Sequence, residues 1–341
     1  MKLLLHTRFH PNIGGIETIA SILAQEWTKA GVELTIVTDV RADPLRQKKF
    51  PFQVYHRPAP GDFLRLVRKH DVFLHFNVSL RALWQLFLVR RPWVVSHQGW
   101  YQINRRGERD WRERLKLRFA KHASANIAAS RAIAQAIGID CHIIPNPYDD
   151  VLFYTRNKVP RDKQLIFVGR LVSDKGADLL IQAISILKQR DLTPELTIVG
   201  DGPERSRLEQ LATNLRLKNQ INFTGARSQA EVAEILREHE VLVVPSLWNE
   251  PFGVVALEGI ASGCMVVGSD GGGLPEAIGP CGVTFPNGDE QALAEQLAVL
   301  LGDRALFDQY RAQAETHLAH HRPKTVARRY RDVITQAVNK F

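Results

Sequence analysis

Residues 163–171 read KQLIFVGRL, four apolar residues opened by Lys-Gln and closed by Gly-Arg. A run this short, bounded by turn residues, reads as a buried strand rather than a helix. Its place in the chain decides the fold. Before it, short Val/Ile/Leu-rich runs (KLLLHT from residue 2, VELTIVT from 32, DVFLHF from 71, WVVSH from 93, ANIAAS from 125) alternate with polar or helical stretches, the first helix expected from about Glu17 to Ala30. After CHIIPNPYDDVLF at 141–153 the same rhythm starts again at residue 163: a helix from about Ala177 to Gln189, then LTIVGDG, INFTG, EVLVVPS, GCMVVGS and GVTFP. Alternation of this kind builds a parallel sheet covered by helices, and its restart predicts two doubly wound α/β domains in tandem rather than one large sheet.

The seam is expected between Asn146 and Lys163, where Pro145, Pro147 and Pro160 interrupt the periodicity. This gives domains at 1–150 and 151–318. The remaining residues, 319–341, carry helical apolar spacing at Val326, Tyr330, Val333 and Ile334 and are expected to pack back across the junction. A length of 341 residues suits two domains of about 150 each.

With 45% apolar and 24% charged residues the composition is that of an ordinary globular protein. No stretch approaches the roughly 20 apolar residues needed to span a bilayer. The opening MKLLLHTRFHPNIGG is too short in its apolar part for a signal peptide and reads as a first strand, so a cytoplasmic location is expected. Cys141, Cys264 and Cys281 form no CxxC and there are no paired histidines at metal spacing, which argues against a disulfide framework or a zinc site. The formal net charge of +9 favours phosphate-bearing ligands, nucleic acid or anionic lipid without choosing among them.

Ligands of doubly wound sheets bind at the carboxyl ends of the strands, so the loops after each run carry the chemistry. PNIGGIE puts Gly14 and Gly15 at a helix start, where bare amides can accept an anion, although the GxGxxG spacing of a dinucleotide fingerprint is missing. Arg170 follows the strand at 163–168 and Lys175 opens the next helix. Two cations on one loop can neutralise a diphosphate without metal, or can be a solvated pair. In NEPFGVVALEGIASG, 249–263, Glu250 precedes a helix that contains Glu258, and the amides of Phe252, Gly253, Val254 and Val255 crown its start. A carboxylate before a helix can also be a simple cap. GDGPE at 200–204 and INFTG at 221–225 are ordinary turns when taken singly.

As an ordered set, the Gly14-Gly15 loop, SHQGW (96–100), NPYDD (146–150), GR followed by KG, GDGP, FTG, EPFGVVALE (250–258) and GGGLPE (271–276) resemble the retaining glycosyltransferases of family four, glycosyl transferases group 1, over essentially the whole chain. The resemblance implies the GT-B fold, two facing Rossmann-like domains with a cleft between them. It also implies retaining, metal-independent transfer of a hexose, glucose first, from a UDP-sugar to an acceptor hydroxyl in polysaccharide or glycolipid synthesis, with no cofactor beyond the donor. On this resemblance Arg170 and Lys175 offset the leaving diphosphate, helped by the helix start after Gly15 and by the amides after Pro251. Glu258 accepts from the ribose hydroxyls, and the loop from Thr224 to Arg227 faces the base. Glu250 holds the donor sugar and stabilises positive charge at its anomeric carbon, and His97 bonds the sugar near its C6 hydroxyl. Read from RRPWVVSHQGW alone, His97 is better taken as a strand-end histidine hydrogen-bonded to backbone. The Asp149-Asp150 pair reads as capping, not as a metal motif.

Two departures from the family stand out: a short first domain, and His6 and His10 ahead of the glycine loop. Three other readings are weaker. A nucleotide-sugar 2-epimerase of the same fold lacks its acid-rich site here, a dehydrogenase lacks its glycine fingerprint, and an anionic-polymer or nucleic-acid binder has only the net charge behind it. The segment 105–122, RRGERDWRERLKLRFAKH, is strongly basic, with Trp111, Leu115 and Phe119 on one helical stripe. The stripe is expected to pack on the sheet, or to draw the chain to anionic lipid at the inner face of a membrane and so to a lipid-linked acceptor.

Overall fold

The computed structural model describes residues 1–11, 14–43, 49–101, 110–156 and 161–341, the side chain of Arg304 aside. The chain divides into two compact units, one of Met1–Pro147 with Arg322–Phe341, the other of Tyr148–His321. The division falls between Pro147 and Tyr148 and again between His321 and Arg322.

The first unit holds a seven-stranded sheet of β1 (Lys2–His6), β2 (Glu33–Thr38), β3 (Gln53–His56), β4 (Val72–Phe76), β5 (Trp93–His97), β6 (Ala125–Ala128) and β7 (His142–Ile143). Every pairing is parallel and the order is β3-β2-β1-β4-β5-β6-β7. β3 and β7 escape a hydrophobicity reading because QVYH and HI are half polar; they form at the edges, where one face is solvated. Leu4, Val37, Phe73, Val95 and Ala128 supply the core on one side of the sheet, against helices at Pro60–Lys69, Leu80–Leu88, Trp111–Ala120 and Arg131–Ile137.

The second unit holds β8 (Lys163–Val168), β9 (Leu196–Val199), β10 (Ile221–Gly225), β11 (His239–Val244), β12 (Met265–Ser269) and β13 (Gly282–Phe285), all parallel, in the order β10-β9-β8-β11-β12-β13. Successive side chains enter two different cores. Leu165, Phe167, Val241, Val243, Met265 and Val267 join one apolar cluster, while Ile166, Leu242, Val244 and Val266 join the other. Helices on both faces therefore explain why these strands are continuous apolar runs rather than alternating ones. The chain leaves β8 toward β9 and β10 on one side and returns to β11 on the other, so the switch point lies between β8 and β11.

The final helix, Pro323–Asn339, belongs to the first unit. It buries Val326, Ala327, Tyr330, Val333, Ile334 and Ala337, the stripe expected from its sequence. Its anchors are polar as well as apolar. The Trp27 indole donates to the Ala327 carbonyl at 3.0 Å, and the Tyr330 hydroxyl bonds Ser96 Oγ at 2.7 Å and accepts from the Gln98 amide at 2.9 Å.

Candidate active site at the carboxyl edge of the second sheet

The loops after β8, β9, β11 and β12 are locked to one another through backbone. Leu171 N donates to Asp201 O at 2.9 Å and Glu204 N to Leu171 O at 3.1 Å, which ties the Gly-Arg loop to GDGP. Gly200 is required there, since its φ is +145° and a Cβ would run into the Gly169 carbonyl. Glu250 forms a parallel bridge with Gly272, and its carbonyl accepts from Gly273 N at 2.7 Å, so GGGLPE serves as the backing of the Glu250 loop. Leu247 N and Trp248 N both donate to Asp174 O. Signature pieces that are ordinary turns in sequence are one framework in space.

On this framework Lys175, reached from β8, meets Glu250, reached from β11. Lys175 Nζ donates to Glu250 Oε1 at 2.5 Å, and Ser246 Oγ donates to the same oxygen at 2.8 Å. The two side chains are 24% and 13% exposed, so the ion pair is only weakly screened. Oε1 is anchored twice, while Oε2 has no partner among the described residues. The family resemblance assigns Lys175 to a diphosphate and Glu250 to a sugar; in this structure they hold each other. Ser246 was not singled out from sequence, although a hydroxyl immediately after VLVVP, where an apolar strand ends, is the available signal. Ser269 Oγ donates to the Ser246 carbonyl at 2.8 Å and fixes it from β12.

Arg170 is exposed and has no ion-pair partner among the described residues. The helix Val254–Ala261 begins after Gly253, whose φ is +95°, and the Val254 and Val255 amides, lying in its first turn, have no acceptor within the helix. Phe252 is buried and is anchored in the core instead of facing solvent. Glu258 sits one turn along this helix. Burial, and then the Asp149 carboxylate, lift its pKa to about 7. Asp149 itself caps the turn after Tyr148, accepting from Val151 N at 3.1 Å and Leu152 N at 3.2 Å, as its sequence suggested. Thr224 is the next-to-last residue of β10, and Arg227 is exposed and pairs with Glu231 at 3.5 Å. Lys175, Arg170, Thr224, Arg227, Glu250, Phe252, Gly253, Val254, Val255 and Glu258 are thus all carried by one unit.

Gly14, Gly15 and His97 belong to the other unit. Gly14 is the N-cap of the helix Gly15–Lys29. The Glu17 carboxylate folds back over it and pairs with Arg8 at 3.5 Å, placing a negative charge of the chain's own where an anion was expected. His97 ends β5 and is fully buried. Its Nδ1 meets the Tyr101 hydroxyl at 2.6 Å and its Nε2 meets Asn126 Oδ1 at 3.0 Å. Desolvation lowers its pKa to about 4, so the ring is neutral at pH 7. Both nitrogens are occupied within the unit, and a sugar hydroxyl could reach the ring only by displacing one of these bonds.

In the basic segment, residues 102–109, with Arg105, Arg106 and Arg109, lie outside the described residues. The helix Trp111–Ala120 buries Leu117 and Ala120, and of the stripe expected from sequence Phe119 packs, partly buried, against the same core. Trp111 is 60% exposed, and Phe119 meets Phe87 of the neighbouring helix Leu80–Leu88, ring centroids 5.6 Å apart. No helix of the described residues is long and apolar enough to cross a membrane, and no group of three or more His, Cys, Asp or Glu among them could hold a metal.

Residues 153–317 match the family model described as Glycosyl transferases group 1, and residues 13–151 match Glycosyltransferase Family 4. The chain belongs to this glycosyltransferase family, with the GT-B architecture. It is 34% identical over 149 residues to the D-inositol 3-phosphate glycosyltransferase of Corynebacterium glutamicum, covering 41% of this chain and 35% of that one. To the glycogen synthase of Mycobacterium tuberculosis it is 36% identical over 153 residues, covering 44% and 36%. The match spans about a third of the length of these curated relatives. Among solved structures, Anabaena HepE in complex with UDP superposes with a TM-score of 0.83 at 21% identity, covering 98% of this chain and all of that one. A glycosyltransferase from Rickettsia africae superposes with 0.83 at 17% identity, covering 100% and 99%. At these identities the superpositions establish the fold alone.

Proposed function

We propose that the chain transfers a hexose, glucose first, from a UDP-sugar to an acceptor hydroxyl in polysaccharide or glycolipid synthesis, retaining the anomeric configuration and using no divalent metal. The observation that carries this reading is the doubly anchored Glu250 carboxylate, held by Lys175 and Ser246 at the switch point beside the open start of the helix Val254–Ala261. A carboxylate fixed through one oxygen, with the other free, can stabilise positive charge growing at an anomeric carbon without having to reorganise. Lys175 then serves two states. Without donor it neutralises Glu250; with donor it shares its charge with the diphosphate, assisted by Arg170 and by the Val254 and Val255 amides, which is the work a metal would otherwise do. Glu258 accepts from the ribose diol, and the loop Thr224 to Arg227 borders the base. On the family resemblance, donor binding is also assigned to the helix start at Gly14 and Gly15 and to His97, which would take a sugar hydroxyl by exchanging its Tyr101 bond. The choice of UDP and glucose is supported by the UDP and UDP-glucose complexes of HepE, which shares the fold.

Nucleotide sugars incubated with the protein should show slow UDP-glucose hydrolysis by mass spectrometry in EDTA, and acceptor products should carry the donor's anomeric configuration by NMR. Turnover lost in EDTA and restored by Mg²⁺ would rule out the metal-free assignment, and an inverted product would rule out retention.

The acceptor proposed is lipid-linked, at the inner face of a membrane. Trp111, Phe87 and Leu88 are 60%, 69% and 61% exposed, and Arg112, Arg114 and Arg118 are exposed on the helix that carries Trp111. Cations near an anionic bilayer contribute about 1 kcal/mol each, and aromatic rings favour its interface. Sedimentation with anionic liposomes should weaken severalfold when the three arginines become Gln, and more when Phe87 and Trp111 become Ser. Equal recovery with neutral and anionic liposomes would leave a soluble acceptor.

A further inference from the structure

Away from the sheet's carboxyl edge in the second unit, the first unit carries a groove of about 600 Å³ between the helix Gly15–Lys29 and the final helix Pro323–Asn339. Its walls bring together Lys29, Lys324, Arg328 and Arg331, with Glu26 as the one carboxylate among the described residues. Glu26 is committed to Lys29 at 2.6 Å. Lys324, Arg328 and Arg331 have no hydrogen bond or ion pair among the described residues. They fall at i, i+4 and i+7, so they line one face of the helix, where like charges repel and destabilise it. A multivalent anion would remove that repulsion. The floor is firm: Trp27 is 1% exposed, its indole held by the Ala327 carbonyl at 3.0 Å and its ring 5.8 Å from that of Tyr330.

We propose that this groove is a second anion site, distinct from the proposed donor site, which takes a ligand bearing two or more phosphate charges on adjacent groups. Two arginines can each grip a phosphate through paired N–H donors, and a lysine adds a mobile point charge. The volume falls within the range of small-ligand pockets, enough for a diphosphate with a modest attached group. The same chemistry can come from a soluble phosphate ester or from a phosphomonoester lipid headgroup. The inference does not depend on the reading of the second unit, because every residue in it belongs to the first.

The test is calorimetric titration of the full chain with inorganic pyrophosphate, free of Mg²⁺ and at fixed ionic strength, with Trp emission followed in parallel. The variant Lys324→Gln/Arg328→Gln/Arg331→Gln should lose one class of binding sites, with affinity at least 30-fold weaker, and also the emission change. Arg170→Gln/Lys175→Gln should keep both. Trp27→Phe should keep the binding and lose the emission change. The three replaced side chains are surface groups, and an unchanged thermal melt of the triple variant will show that its fold is kept. Flotation with vesicles of phosphatidylcholine containing phosphatidic acid separates the sources. Capture that needs the three cations supports a headgroup, and binding of pyrophosphate alone that needs them supports a soluble ligand. If the triple variant binds both probes as the natural chain does, the groove is a solvated basic face and the proposal is wrong.

Discussion

Replacing Glu250 with Gln should lower turnover by about 10²-fold or more while donor affinity stays within a few-fold. The glutamine oxygen can still accept from Lys175 and Ser246, which now bond Glu250 Oε1 at 2.5 and 2.8 Å, so the loop should keep its shape. The negative charge is what disappears. A charge that acts on the anomeric carbon only as the donor bond breaks contributes to the transition state and little to the bound ground state. Lys175, relieved of its counter-charge, should hold the diphosphate at least as well as before, so the dissociation constant is expected to be unchanged or slightly lower. Steady-state kinetics with calorimetric donor binding on the same preparation separate the two quantities. A folded Gln variant turning over like the natural protein would remove Glu250 from the chemistry.

Glu258 should make donor affinity pH-dependent. With its pKa raised to about 7, the carboxyl is mostly protonated at pH 6 and mostly ionised at pH 8. The ionised form can accept from both hydroxyls of a ribose, whereas the protonated form must donate one of its bonds. A nucleotide sugar's diphosphate is a diester with no titration near neutrality, so affinity should rise as pH increases through about 7 and level off above it. The effect on stability has the opposite sign. The folded state holds this proton more tightly than the unfolded chain does, so the contribution of Glu258 is favourable below about pH 4.5 and is lost as pH rises toward 7. Glu258→Gln should weaken UDP-glucose binding by about 10-fold at pH 8 and flatten the pH profile. An undiminished pH dependence in that variant would assign the titration to another group.

What could be read from sequence followed the local patterns. The restart at KQLIFVGRL placed the second sheet, because strands buried on both faces are continuous apolar runs, and the spacing of Val326, Tyr330, Val333 and Ile334 gave the buried face of the final helix. The pairings of distant residues were not legible. Lys175 and Glu250 are 75 residues apart, and nothing local shows that they form an ion pair. WVVSH marks His97 as a strand end but does not show Asn126 waiting on the neighbouring strand to occupy its Nε2. The stripe of Trp111, Leu115 and Phe119 misled for a related reason. Aromatic spacing points to one packing face, whereas the buried residues of this helix are Leu117 and Ala120, Phe119 packs half-buried against the same core and against Phe87, and Trp111 is exposed. The basic groove combines Lys29 with Lys324, each unremarked in its own helix.

The placement of the final helix also sets an order of events during synthesis. Trp27 waits for a carbonyl 300 residues downstream, and Ser96 for a hydroxyl 234 residues downstream. At ribosomal rates of about 5–20 residues per second, the first of these waits lasts roughly 15–60 s. The second unit, being one uninterrupted stretch of chain, has all of its residues before the first unit has its last helix. The half that is translated first is therefore the half that is completed last, and until then it presents to chaperones the apolar surface that Tyr330 and its neighbours will cover.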